Sequence, residues 1–162
     1  MIMQKKSQKG FTLLEVLMYA SLVAGFVTVA LASTHQILEY SNRLRSMREL
    51  GENERFLIQK FNWILSGVQT LNSPAVGASS TSLSVTKLTF PANPLLVSLA
   101  TGTIQLKAGA SSTVALSNNY FASTSNLKFE NIQYSNQYAI RITAQLTNDF
   151  ATTSIDTTIF YK

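Results

Sequence analysis

Few side chains in this sequence are equipped for chemistry. There is no cysteine and a single histidine, His35, so a thiol nucleophile, a thiolate metal site, a disulfide-stapled fold and a Cys/His zinc set are all excluded. No glycine-rich phosphate loop is present. After residue 67 the acids are Glu130, Asp149 and Asp156. Asp149 and Asp156 could approach each other across a hairpin, but calcium needs more oxygens than two carboxylates bring. His35 lies just past a long apolar run and reads as a headgroup or solvent contact. The sequence therefore predicts no enzyme, no cofactor and no metal site.

The acid whose position demands an explanation is Glu15. It is the only residue ionised at neutral pH in an apolar run over residues 11–32. As a helix rising 1.5 Å per residue, that run spans about 33 Å, enough to cross a bilayer. A charged group at the centre of a membrane helix costs about 2.5–3.5 kcal/mol or more, so a carboxylate one turn into such a segment implies a partner or a function.

The residues around it read Lys9-Gly10-Phe11-Thr12-Leu13-Leu14-Glu15-Val16-Leu17. A short polar leader with lysines, then glycine, phenylalanine, threonine and two leucines, with glutamate fifth after the glycine, resembles the processing and methylation site of type IV pilins and type II secretion pseudopilins. The resemblance covers about residues 5–32, and it requires a fixed junction, a fixed acid and an uninterrupted apolar helix to coincide. It implies that Gly10 precedes a cut made by a prepilin peptidase and that Phe11 becomes the new, N-methylated terminus. Lys5, Lys6 and Lys9 would supply the leader charge, and Glu15 would meet the terminal amine of a neighbouring subunit during assembly. The partners implied are the peptidase, other pilin or pseudopilin subunits, and the cytoplasmic membrane before assembly. The physical logic holds: a buried carboxylate and a buried ammonium are each costly alone, and a pair that forms only between two helices becomes a register device.

Two plainer readings compete. One is a simple signal anchor with a chance Gly-Phe, carrying a surface adhesin that never polymerises. The other is a secretory signal peptide cut after Ala30-Leu31-Ala32, which fits the small-x-small rule. Against the second, the apolar region exceeds the usual core of about 7–15 residues and contains Glu15.

Charge adds little. The 162 residues carry 13 Lys and Arg against 8 Asp and Glu, a net +5. Without the three leader lysines the excess falls to two, too small to argue for a nucleic-acid surface. Lys107, Lys128, Arg141 and Lys162 are scattered among predicted strands with Tyr120, Phe121 and Tyr138, and would make a basic, aromatic DNA-binding patch only if the fold gathered them. A DNA-uptake minor pilin is thus an alternative reading. Topology from charge is ambiguous, because Arg43, Arg45 and Arg48 follow the apolar run as the lysines precede it. Placing the N-terminus inside the cell and the head outside, and later in a filament, rests on the resemblance.

The elements that must hold these residues are legible from periodicity. Ile37, Tyr40, Leu44, Met47, Leu50, Leu57, Phe61, Ile64 and Val68 recur at spacings of three, four or seven, which predicts an amphipathic continuation of the helix over 33–71. Gly51-Glu52-Asn53-Glu54 predicts a bend or fray, since an interior glycine costs about 1 kcal/mol against alanine. The charges Arg43, Arg45, Arg48, Glu49, Glu52, Glu54 and Arg55 read as a solvated face with intrahelical pairs worth about 0.2–0.5 kcal/mol each. Phe56, Phe61, Trp63 and Ile64 form the ridge on which a sheet would pack.

Beyond Gly67 the composition turns to Ser, Thr and Asn. Strands are predicted at 83–90, 103–107, 113–116, 127–134, 138–146 and 153–161, with a bulge near Glu130-Asn131 and a hairpin at 135–137. A half-apolar antiparallel sheet needs a cover, and the helix has a matching stripe. The expected fold is α+β: a leader over 1–10, a transmembrane and assembly helix over 11–32, its amphipathic continuation over 33–71, and an antiparallel head over 72–162. The plan agrees with the pilin fold and resembles the J-type minor pseudopilins more than a major pilin, whose C-terminal disulfide loop is missing.

Overall fold

A computed structural model describes residues 12–118, 122–135 and 137–161. Its first element is one helix, α1 (Leu13–Leu65). Thr12 caps it: the Glu15 N–H donates to Thr12 Oγ1 at 3.3 Å and to Thr12 O at 3.0 Å, and the Val16 N–H reaches Thr12 O at 3.3 Å. This is the Thr-x-x-Glu arrangement that satisfies orphan donors of a first turn and sets an acid at the positive end of the helix dipole.

The chain divides into two compact units, one ending at Asn42 and the other beginning at Arg43. In the first, the helix exposes its large apolar side chains, among them Leu14, Leu22 and Phe26. Its hydroxyls turn inward onto the backbone. Ser21 donates to Met18 O, Thr28 to Ala24 O, Ser33 to Val29 O and Thr34 to Ala30 O, all at 2.8–2.9 Å. His35 Nε2 lies 3.3 Å from Glu39 Oε1, with both side chains exposed.

The second unit is the last part of α1 packed on two antiparallel sheets. β1 (Val68–Ser73), β3 (Leu83–Lys87), β4 (Leu95–Ala100), β5 (Thr103–Ala108) and β6 (Val114–Ala115) form one sheet in the order β1-β3-β4-β5-β6. β2 (Ser79–Ser80), β7 (Ser123–Tyr134), β8 (Gln137–Thr147) and β9 (Thr152–Phe160) form the other in the order β2-β7-β8-β9. Leu50, Leu57, Phe61, Ile64 and Leu65 of α1 share one core with Leu83, Val85, Leu95, Val97 and Ile104 of the first sheet and Phe129, Ile140, Ile142, Leu146 and Ile155 of the second. Phe61 meets Phe129 edge to face, ring centres 5.9 Å apart, at the middle of that core. The α+β plan, a long helix covering antiparallel strands, is the one expected, and it is compatible with a pilin-like fold.

Several local expectations are corrected. The helix stops at Leu65, not near 71. Gly67 takes the left-handed φ of +65° that ends helices, and 68–73 become β1. No fray interrupts the helix at Gly51, because Leu50 and Leu57 on either side are buried and their packing outweighs glycine's cost. Of the proposed sheet-packing ridge, Phe61 and Ile64 are buried, but Phe56 and Trp63 are each 43% exposed. Trp63 instead packs edge to face on Phe90, 5.8 Å away. β1, β2 and β4 have no counterpart among the predicted strands.

The irregularity in β7 falls between Ser125 and Lys128, where Asn126 has φ +54°, not at Glu130-Asn131. Leu127, Phe129 and Asn131 stay in phase on the buried face, and Ile132 turns away from it. Asn131 holds that inward position because its polar groups are all met. Its Nδ2 donates to Pro74 O at 3.0 Å, and its Oδ1 accepts from the Tyr161 hydroxyl at 3.1 Å. Its backbone pairs with Gly77 and Ala78. Along β8, Ile140, Ile142, Ala144 and Leu146 alternate on the buried face, and Ala139, between Tyr138 and Ile140, is buried as well.

Candidate functional site

Of the residues that the sequence singles out, Glu15 lies in the first turn of α1. Gly10, Phe11, Lys5, Lys6 and Lys9 lie outside the described residues. Glu15 is the third residue of the helix and is partly exposed, with its backbone N–H held by Thr12. The Tyr19 hydroxyl, one turn on, stands 3.5 Å from Glu15 Oε1, a long hydrogen bond to the carboxylate. A carboxylate so placed keeps unfilled acceptor capacity, since an ionised carboxylate can accept about four bonds.

Behind Glu15 the helix offers an exposed apolar surface. Val16, Tyr19, Ala20, Val23, Ala24 and Val27, spaced three and four apart, line a shallow concave stripe along one face. By length and composition α1 can cross a membrane. Small residues at Ala20 and Ala24 let a neighbouring helix or an acyl chain approach the backbone closely.

The other sequence-predicted sites do not assemble. Arg141 grips Asp156 through two hydrogen bonds of 2.8 and 2.7 Å, so Asp156 is committed to that guanidinium and not to a metal site with Asp149. The Arg141 hydrogen bonds and charge hold the Asp156 carboxyl below its ordinary range, and Asp156 raises Arg141 in return. Among the described residues, no group of three or more His, Cys, Asp or Glu could hold a metal ion. Lys107 sits on β5 in one sheet, whereas Lys128 and Arg141 sit on β7 and β8 in the other. Tyr120, Phe121 and Lys162 lie outside the described residues. The described strands therefore set Lys107 apart from Lys128 and Arg141, which are diagonal neighbours on β7 and β8. Of the helix charges, Arg45 pairs with Glu49 at 3.2 Å, and Glu54 accepts from Thr153 at 3.1 Å, tying α1 to β9.

One notable group was missed. Lys87 is only 8% exposed, on the inward phase of β3 with Leu83 and Val85. Its Nζ donates to Trp63 O at 2.6 Å and lies 4.4 Å from the centre of the Trp63 ring. Burial lowers its pKa from the ordinary lysine value. The signal was available in the alternation of 83–87, which points the lysine to the core side.

Comparison with protein-family models, with curated proteins and with solved structures gives no match.

Proposed function

We propose that this chain is a structural, non-enzymatic subunit of a type IV filament or a type II secretion pseudopilus, a minor pilin or pseudopilin. A prepilin peptidase would cut between Gly10 and Phe11, and the new Phe11 amine would be methylated. The helix would sit in the cytoplasmic membrane with residues 1–10 inside and the head outside until assembly. It would then leave the bilayer to pack against neighbouring helices.

The observation that carries this reading is the coincidence of Glu15 with the head of an exposed apolar helix, at the fifth position after the Gly10-Phe11 junction that the sequence supplies. An acid at that place is costly in lipid, and it gains a counter-ion when an amine created by cleavage arrives on another subunit. The apolar stripe from Val16 to Val27 and the α+β head are compatible with the same reading.

Mass spectrometry of the N-terminus of protein purified from cells that possess the peptidase tests it. Methylated Phe11 is the expected terminus. Ser33 would mean a secretory peptide, and an intact Met1 a simple anchor; either result overturns the proposal.

A further inference from the structure

Among the described residues the two sheets have four edge strands between them, and three of these are short or irregular. β2 and β6 have two residues each, and the pairing of β1 with β3 slips twice. Such features deny an incoming strand a template. β9 has none of them. Its pairing with β8 runs from Thr147↔Thr152 to Ala139↔Phe160 without a register shift. It contains no proline, lysine or glycine, and its one charge, Asp156, is matched by Arg141.

The phase of the ladder is set at both ends. The Tyr161 N–H donates to Tyr138 O at 3.1 Å, and the Asn148 N–H donates to Ala151 O at 3.0 Å. Between those bonds, alternate residues Thr153, Ile155, Thr157 and Ile159 face β8 with their backbone groups. Thr152, Ser154, Asp156, Thr158 and Phe160 direct N–H and C=O away from the sheet, and the side chains of the same residues are exposed.

We propose that β9 is a self-association edge: two copies of the chain pair their β9 strands antiparallel, with Thr152 opposite Thr158 and Ser154 opposite Asp156 of the second copy. Occupant and register follow from the order of side chains. A pair related by a two-fold axis is self-complementary, and only the outward residues can bond across it. Centring the axis on Asp156 would oppose two carboxylates, which is unfavourable. Centring it on Thr157 would set Ser154 against Phe160. Centring it on Ile155 opposes threonine to threonine and serine to aspartate, pairs that hydrogen-bond across strands. It also brings Phe160 of each copy to the turn that carries Phe150 of the other. Phe150 and Phe160 are 52% and 57% exposed, and this is the register that would cover both. The contact belongs to the head and does not rest on the filament reading.

The chain has no cysteine, so introduced ones report the register. Directly opposite, bonded residues stand about 5.5 Å apart at Cα, within disulfide reach. Full-length Thr152→Cys and Thr158→Cys chains are mixed in detergent micelles and oxidised. The mixture is expected to give at least tenfold more disulfide dimer than either chain alone or than Thr152→Cys mixed with Ser154→Cys. Adding Asp156→Pro to both chains, which removes an outward N–H, is expected to reduce the yield at least tenfold. The denaturation midpoint followed by the single tryptophan, Trp63, confirms that each variant is folded. No dimer from the mixture, or equal dimer from every pairing of folded chains, overturns the proposal.

Discussion

Replacing Lys87 by methionine should weaken the head domain, and the size of the effect follows from three contacts. The last turn of α1 contains no basic residue, so the negative end of its dipole is met by Lys87 reaching over from β3. The hydrogen bond to Trp63 O is of the charge-assisted kind worth about 1.5–3 kcal/mol, and the ammonium over the indole adds about 0.5–2 kcal/mol. These overlap, and the lowered pKa indicates that the cost of taking the ammonium out of water exceeds what its charge gains there, so the loss on substitution is that of one donor to Trp63 O, which also accepts from the Ser66 hydroxyl. Methionine keeps most of the apolar stem, so Lys87→Met should cost about 1–2 kcal/mol and Lys87→Ala more, because alanine also leaves a void. With a urea dependence of about 1–3 kcal/mol per molar, the midpoint should fall by roughly 0.5–1 M. Trp63, the only tryptophan and the residue in contact, is the fluorescent reporter.

The pH dependence carries a second signature. A lysine whose folded pKa lies below its unfolded value of 10.5 binds its proton more tightly in the unfolded chain. The wild type should therefore gain stability as pH rises from the folded value toward 10.5, and Lys87→Met should lack that increment. A methionine variant as stable as the wild type at neutral pH would refute the reasoning, since the Trp63 carbonyl would then not depend on the ammonium.

Glu15→Ala should leave membrane insertion intact and sharply reduce incorporation into filaments, measured by fractionating sheared fibres; normal incorporation would remove the register role. Asn131→Ala, which strands the Tyr161 hydroxyl and the Pro74 carbonyl, should destabilise the head by about 2–4 kcal/mol in chemical denaturation. Gly67→Ala should cost about 1–2 kcal/mol for the left-handed backbone alone, because a Cβ there meets nothing within 4 Å; an unchanged midpoint would show that the helix can end elsewhere.

The long helix and the sheet were legible because each follows a simple period. Leu50, Leu57, Phe61 and Ile64 of the helical stripe and the alternation Ile140, Ile142, Ala144, Leu146 are buried as their spacing dictates, whereas Ile37, Tyr40, Leu44 and Met47, earlier in the same stripe, are exposed. What failed was local punctuation. Val68 extends the helical stripe in sequence, but Gly67 just before it adopts a conformation that only the folded chain reveals. β4 sits just after Pro94 and alternates weakly. Phase alone misplaces the β7 irregularity, because Leu127 and Phe129 fall out of step with Ile132 and Tyr134 while the residue that turns inward is Asn131; its partners at Pro74 and Tyr161 are 57 and 30 residues away in sequence. Long-range hydrogen bonds leave no periodic trace. Of the candidate site, Glu15 and its apolar helix could be read directly, whereas the Thr12 cap and the Tyr19 contact needed coordinates.

The hydroxyls of Ser21, Thr28, Ser33 and Thr34 are spent on carbonyls of their own helix. Such a rod asks nothing polar of its surroundings along most of its length, and hydrocarbon or a sister helix would serve it nearly alike. Near its start stands the carboxylate of Glu15, which keeps acceptors to spare and would tell the two apart.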